Sequence, residues 1–387
     1  YFEDLINKIT NQPDLFVTKV SSGINYWKNN TLEENMKFNA IVGNPPYQVM
    51  GSSDNEGINN ASAIYPAFVE ISKKLKPTYL SMITPSKWMT KTGQGIRNEW
   101  MDEMIKCNHF IKVYDFMDSS VCFTGVSIGG GISYFLYSDE YIGPCKYILQ
   151  QNGENYIRIA KLDELGAGIV IRDGAAIKIL GKVKAVENDY FINNNFCSMV
   201  SPKHFFDSGD VFTSNWKGYV LEQDENHTIK YYLNKRLVER GYAWVNYNDI
   251  PKNKYATRLH KVYYPEAYGS STDPFVIGKP FYGEPNSVCS QTYMVVGYDE
   301  KYHNLTKEEC ESIVSYMKTR FFRYLVSIKK KTQHTPRDVF QFVPLQDWSK
   351  PWTDAELYKK YNLSKEEIDY IESMIKPMGE DALFNTD

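Results

Sequence analysis

The sequence predicts an open α/β sheet followed by an irregular, mostly β domain with C-terminal helices. Three observations predict it. From Phe38 to Tyr137, apolar strand-like runs alternate with amphipathic helical patterns. Near Gln150 to Asn155 the chain turns polar, and beyond it short apolar runs stand between Gly, Pro and Asn. From Glu308 to Ile328 a long helical spacing returns. The 387 residues suffice for two or three domains, expected at 1–150, 151–350 and 351–387, the last a helical tail.

Hydrophobic content of 42% and charged content of 24% describe an ordinary globular chain. No apolar run is long enough to span a bilayer, so no membrane partner is expected. The six cysteines never stand at Cys-x-x-Cys spacing, which argues against a zinc site and for a reducing cytoplasm. Net charge is −3, so any nucleic-acid contact must come from local basic patches. The start, Tyr1-Phe2-Glu3-Asp4, has neither a signal peptide nor an initiator methionine and reads as a fragment.

Residues 1–35 mix helix and loop signals, with a strand candidate at Ile24 to Trp27. Phe38 to Gly43 is a short buried strand, and Asn44-Pro45-Pro46-Tyr47 ends it. The two prolines fix φ, donate no N–H, and hold the residue before each out of helix. Asn44 is then extended at a strand's carboxyl end, where open α/β sheets bind ligands. Its amide oxygen and the Pro45 carbonyl are two acceptors, and Tyr47 adds a flat ring. That set suits a planar base with an exocyclic amino group.

Gly51 to Gly57 is polar and aperiodic and reads as a mobile loop. Ala63 to Leu75 is an amphipathic helix ended by Lys76-Pro77, and Tyr79 to Pro85 is a second strand. This is a crossover unit. Gly95 to Cys107 is a helix; Ile111 to Phe116 and Ile132 to Tyr137 are strands around a turn at Val121 to Ser127. Gly129-Gly130-Gly131 lacks the frame of a phosphate loop and is a tight bend. Ile169 to Ile171, Tyr219 to Leu221 and Phe275 to Ile277 are strand candidates of the second domain. The Glu308 to Ile328 helix carries an apolar face, and its other side and continuation are basic, through Lys329-Lys330-Lys331 to Arg337.

Ile41-Val42-Gly43-Asn44-Pro45-Pro46-Tyr47 resembles the catalytic motif of adenine-N6 DNA methyltransferases of restriction-modification systems, in the group whose target-recognition region follows the catalytic domain. The blocks from Ile64 to Met89 and from Ile111 to Tyr137 resemble that family's later catalytic blocks. The resemblance implies a partial Rossmann-like sheet at 1–150 and a DNA target-recognition domain at 151–350. It implies catalytic Asn44, Pro45, Pro46 and Tyr47, with Tyr47 and Phe123 on the two faces of a flipped adenine. It places Phe68 beside the cofactor's adenine. Lys318, Arg320, Arg323, Lys329, Lys330, Lys331, Gln333, His334 and Arg337 are read as DNA-binding, because such side chains reach phosphates and base edges.

The methyl donor so implied is S-adenosylmethionine, bound by the intact enzyme. The implied partners are double-stranded DNA, an upstream part of the same protein or a cognate restriction nuclease, in a bacterial cytoplasm. The family's glycine-rich cofactor turn and ribose acid precede the catalytic motif, yet the 43 residues before Asn44 hold only Gly23 besides Gly43 of the motif strand itself. This chain is therefore expected to be the C-terminal portion, binding the cofactor weakly if at all. Leu162-Asp163-Glu164-Leu165-Gly166-Ala167-Gly168 resembles a glycine turn, but the stretch before it is too polar for a central parallel strand. Two other readings stay open: a DNA-specificity module without chemistry, and a methyltransferase fragment for RNA or protein amides.

Overall fold

A computed structural model describes residues 38–49, 62–91, 95–125, 128–151, 153–188, 190–270, 273–330 and 332–379. The expectations for residues 1–35 and for the Gly51 to Gly57 loop lie outside the described residues. The chain divides into two units, Tyr1–Gly174 and Ala175–Asp387.

In the first unit, strand β1 (Ala40–Gly43) lies parallel to β4 (Tyr79–Pro85), joined through the short strands β2 (Gln48–Val49) and β3 (Ser62–Ala63) and helix α1 (Tyr65–Lys74). Pro66 suits the helix start, where its missing N–H costs nothing. Helix α2 (Asn98–Lys106) leads to β5 (Phe110–Phe116), which pairs antiparallel with β6 (Ile132–Tyr137). A second hairpin, β7 (Cys145–Gln151) and β8 (Glu154–Ala160), extends the sheet. The six strands run in the order β1-β4-β6-β5-β7-β8, a mixed sheet. Strands β1, β4, β5 and β7 point the same way, so their carboxyl ends share one edge. One face buries Leu80, Met82, Val113, Phe135 and Leu149 against Tyr65, Val69, Trp100 and Met104 of α1 and α2.

Two expectations change here. Strand β1 is not buried: Val42 is 58% exposed, because among the described residues β1 has a sheet partner on one side only. The boundary expected near residue 150 falls inside the β7–β8 hairpin, and the unit continues to Gly174.

The second unit begins with helix α3 (Gly174–Glu187), whose first residue closes the first unit. It contains two small sheets. Strands β9 (Ile229–Tyr232), β10 (Tyr242–Val245) and β13 (Ser287–Cys289) form one; β11 (Lys261–Pro265), β12 (Phe281–Gly283) and β14 (Tyr293–Val296) form the other. They share an aromatic-rich core that includes Phe206, Phe212, Tyr231 and Tyr263. The expected strand at Phe275 to Ile277 is a turn, with Val276 at φ +67° and its N–H on the Asp273 carbonyl. Tyr219 to Leu221 contributes one bridge, Val220 to Trp244, and Ile169 to Ile171 is not a strand.

The long helix expected from Glu308 to Ile328 is two helices, α4 (Lys307–Lys318) and α5 (Arg320–Lys329). Thr319 is extended (φ −62°, ψ 149°), and its hydroxyl caps the Phe322 N–H. Asp354 receives the next two free donors, the N–H groups of Arg320 (3.1 Å) and Phe321 (2.9 Å). A carboxylate at a helix N-terminus also favours the helix dipole. Helices α6 (Asp354–Lys360) and α7 (Lys365–Met374) each start with a capping box. They pack within the second unit: Phe321 stacks on Tyr361, and Lys182 of α3 pairs with Glu367. The C-terminal segment is thus part of this unit and not a separate tail. Among the described residues, no helix is long and apolar enough to cross a membrane.

Candidate active site

Strand β1 ends at Gly43 and delivers Asn44 to the carboxyl edge of the sheet. Asn44 and Pro46 are exposed, Pro45 is buried and Tyr47 is half-buried. No described residue bonds to the Asn44 side chain or to the Pro45 carbonyl. The next carbonyl, that of Tyr47, accepts the Ile64 N–H at 3.1 Å, and β2 pairs with β3 behind it. These contacts fix the backbone that carries the tyrosine.

The Tyr47 hydroxyl is buried and has no partner among the described residues. Burial, with a smaller push from the nearby Cys122 thiol, raises its pKa to about 12. Cys122 immediately precedes Phe123, so the turn carrying Phe123 lies close to Tyr47. Ser119 organises that turn. Its carbonyl accepts the N–H groups of Cys122 and Phe123, and its hydroxyl accepts the Ile128 N–H at 2.8 Å.

The edge is braced from within the sheet. The Asp115 carboxylate, fully buried on β5, accepts from Ser86 Oγ (2.7 Å), from the Tyr147 hydroxyl and from Arg172. Arg172 also donates to the Gly130 carbonyl at 2.6 Å. Burial alone would depress the Arg172 pKa; Asp115 outweighs it and holds the guanidinium above its ordinary value. The bend at Gly129 to Gly131 is indeed tight. A Cβ on Gly131 (φ +80°) would stand 2.2 Å from the Phe116 carbonyl oxygen. Sequence reasoning missed Asp115 and Arg172, 57 residues apart, because nothing local marks either one.

Phe68 is half-buried on α1, between the buried Tyr65 and Val69. The glycine turn near Gly166 does not fit the methionine end of S-adenosylmethionine. The Gly168 N–H is bound by the Asp163 carboxylate (3.0 and 3.1 Å), and the preceding strand, β8, is antiparallel to its neighbour. The groups that would hold that end are not found among the described residues.

The residues read as DNA-binding do not form one surface. Arg323 and Lys330 are buried, which corrects their assignment. Arg323 donates to the carbonyls of Lys318 and Thr319, and Lys330 to those of Tyr268 and Val276. Burial depresses the Arg323 pKa to about 10 and the Lys330 pKa to about 8. Arg320 pairs with Glu372, and Lys329 donates to Gln341. Lys318 is half-buried, and Lys331 lies outside the described residues. Gln333, His334 and Arg337 are exposed; His334 faces Glu266 (2.9 Å), and Arg337 Nε donates to the Cys197 carbonyl (2.8 Å).

Comparison with known proteins adds to this geometry. A family described as the Eco57I restriction-modification methylase matches residues 1–123. An uncharacterized adenine-specific methylase of Mycoplasma pneumoniae is 40% identical over 119 residues, 31% of this chain and 27% of the relative. The chain thus spans about a quarter of the length of that curated relative. Among solved structures, the type IIL restriction-modification enzyme MmeI in complex with DNA is 9% identical, with a TM-score of 0.40; 88% of this chain and 55% of that one are covered. The type IIG restriction endonuclease BpuSI is 13% identical, with a TM-score of 0.33 and coverage of 84% and 48%. The family match covers residues 1–123, the N-terminal third of the chain.

Proposed function

We propose that the protein acts as a site-specific DNA adenine-N6 methyltransferase of a restriction-modification system. The observation that carries the reading is the pair of acceptors, Asn44 and the Pro45 carbonyl, unengaged among the described residues and beside Tyr47 and the Phe123 turn. The family match over residues 1–123 supports it.

An adenine in duplex DNA cannot reach this edge while stacked, so it is flipped out. Its N6 amino group then donates one hydrogen bond to the Asn44 amide oxygen and one to the Pro45 carbonyl. Those acceptors favour a pyramidal N6, whose lone pair is free for the new C–N bond. When bound, S-adenosylmethionine would supply the electrophilic methyl, its S–CH3 bond breaking to leave S-adenosylhomocysteine as the N6–CH3 bond forms, and N6 loses one proton to solvent. Tyr47 and Phe123 replace the lost base stacking. Placement and a fixed polar frame supply the rate, with no covalent enzyme intermediate. Phe68, half-buried on α1, is the proposed contact for the cofactor's adenine. The second unit, with Gln333, His334 and Arg337 exposed, is the proposed recognition region for double-stranded DNA.

The test is to incubate the complete protein with duplex DNA and methyl-labelled S-adenosylmethionine, then digest to nucleosides. N6-methyladenine as the labelled product is expected. Label appearing only on RNA or on glutamine-containing peptides overturns the reading.

A further inference from the structure

Lys87 stands directly after β4, in the single-turn helix Ser86–Thr90 at the carboxyl edge of the sheet. Parallel register sets Gly43 of β1 beside Met82 of β4, so Asn44 and Lys87 leave neighbouring strands at the same edge. The other cations among the described residues of this unit are engaged or distant. Arg172 is bound to Asp115, Lys91 to Asp102 and Arg97 to Glu70. Lys74 and Lys76 lie just before β4, Lys146 near the start of β7, and Lys161 just past the end of the antiparallel β8. These four sit at the opposite edge of the sheet. Among the described residues of this unit, Lys87 is the lysine at the Asn44 edge whose ammonium has no partner.

Its stem is held in place. A Cβ built on Gly130 (φ +90°) would lie 3.1 Å from the Lys87 Cγ and 3.7 Å from its Cε. The absence of a side chain at Gly130 leaves the strip along which the lysine lies. The same bend is fixed by Arg172 on the Gly130 carbonyl and by the Ser86 N–H on the Gly131 carbonyl (3.0 Å). Lys87 is therefore a pre-placed, half-buried cation between the Asn44 to Tyr47 segment and the hairpin that carries Phe123.

We propose that Lys87 binds a phosphate flanking the extruded nucleotide, and so positions the sugar-phosphate backbone while Asn44 holds the base. This rests on the methyltransferase reading above. A base turned out of a duplex brings its own phosphates to the rim of the pocket, where an ammonium with no competing carboxylate neutralises one of them.

The experiment uses the complete protein. The methylated adenine is first mapped on a natural duplex. A wild-type protein that methylates no adenine ends both this proposal and the reading it rests on. Duplexes are then made with a neutral methylphosphonate at each phosphate flanking that adenine. Lys87→Gln is expected to raise KM for the all-phosphate duplex and to make the slope of log K against log salt shallower by about 0.9. One methylphosphonate should impair the wild type to a similar degree and should not impair Lys87→Gln further. Lys87→Arg should restore most of the phosphate preference. Equal methylphosphonate effects on wild type and Lys87→Gln, or an unchanged KM and salt slope with methylation intact, would refute the role of Lys87 alone.

Discussion

Arg172 grips Asp115 with both arms of its guanidinium, Nε at 2.5 Å from one carboxylate oxygen and an Nη at 2.7 Å from the other. Asp115 is fully buried on β5, and Arg172 arrives from the segment after β8. The third nitrogen holds the Gly130 carbonyl, so one side chain ties the sheet to the bend before β6. Removing one partner of a buried ion pair leaves the other uncompensated and costs roughly 3–5 kcal/mol. Arg172→Ala is expected to destabilise the first unit by an amount of that order. Arg172→Lys should recover little, since an ammonium cannot reproduce the fork. Urea unfolding of the full chain, followed at Trp88 and Trp100, checks this; a midpoint unchanged from wild type would contradict it.

Asn44→Ala should sharply slow methyl transfer while leaving DNA binding near normal. The side chain is exposed and has no partner among the described residues, so its loss does not threaten the fold. By analogy with removal of one oxyanion-hole donor, the rate should fall by about 10²–10³. Single-turnover methylation beside a gel-shift titration separates the two effects.

Tyr47 offers a sharper division. Its hydroxyl is buried without a partner, so Tyr47→Phe removes an unsatisfied group and keeps the ring. That variant should retain activity and fold at least as well as wild type. Tyr47→Ala should lose about 1–3 kcal/mol of base stacking. The readout is fluorescence of 2-aminopurine at the target position, which brightens when the base leaves the stack. A damaging Tyr47→Phe would mean that the hydroxyl, and not the ring, is used.

In the second unit, Lys261 is fully buried and donates to the carbonyls of Leu259 (2.8 Å) and Glu284 (3.2 Å). Burial lowers its pKa to about 7, against smaller opposing pulls from Cys289, Glu284 and Cys310. Below about pH 7 both folded and unfolded chains carry the proton, and the full cost of burying the charge is present. Between there and the ordinary lysine range near ~10.4, the unfolded chain binds the proton and the folded one does not. Stability should therefore rise with pH across that window. Lys261→Met should flatten the rise, read as the difference between urea midpoints at about pH 7 and about pH 9. Parallel behaviour of wild type and variant would dismiss the effect.

The first unit was legible where sequence period and burial coincide. Strands β4 and β6 occupy the residues expected, because alternate positions such as Leu80, Met82 and Phe135 do face the core. Strand β8 was hidden, since Tyr156, Ile157 and Ile159 are all exposed and its pattern answers to no core. The apolar triplet at Phe275 looked like a strand, but Val276 turns left-handed and its carbonyl receives Lys330. The break at Thr319 is set by Asp354, 34 positions beyond Arg320, so no local window reveals it. At the candidate site, the two prolines carried the local geometry of Asn44 in the sequence itself. The brace of Asp115 and Arg172 exists only once the sheet is folded.

The basic run of the second unit separates by burial, and the separation can be tested. Arg323 and Lys330 lie within the unit and donate to backbone carbonyls; that of Thr319 also accepts the Arg323 N–H, whereas no other described donor is bonded to those of Tyr268 and Val276. Lys330→Met leaves the Tyr268 and Val276 carbonyls without that donor, at about 1–3 kcal/mol each, and Arg323→Met removes the side-chain bonds to Lys318 and Thr319. Neither change should alter the salt dependence of DNA binding, because neither head can reach a phosphate. Arg337 is exposed and, among the described residues, commits only Nε to a protein carbonyl, which leaves its terminal nitrogens for an outside acceptor. Two outcomes distinguish its role. If it meets the backbone, Arg337→Gln should weaken cognate and random duplexes alike and make the salt slope shallower by about 0.9. If it reads a guanine edge, the same change should relax discrimination at one base pair by about 1–3 kcal/mol and spare the random duplex. Duplexes with single base-pair changes, titrated at several salt concentrations, give both quantities. An Arg337→Gln protein that matches wild type in slope and specificity would leave the exposed Gln333 and His334 to carry contact from this loop. The same titration on Lys330→Met is the control: a shallower slope there would mean that its buried ammonium comes out to meet DNA.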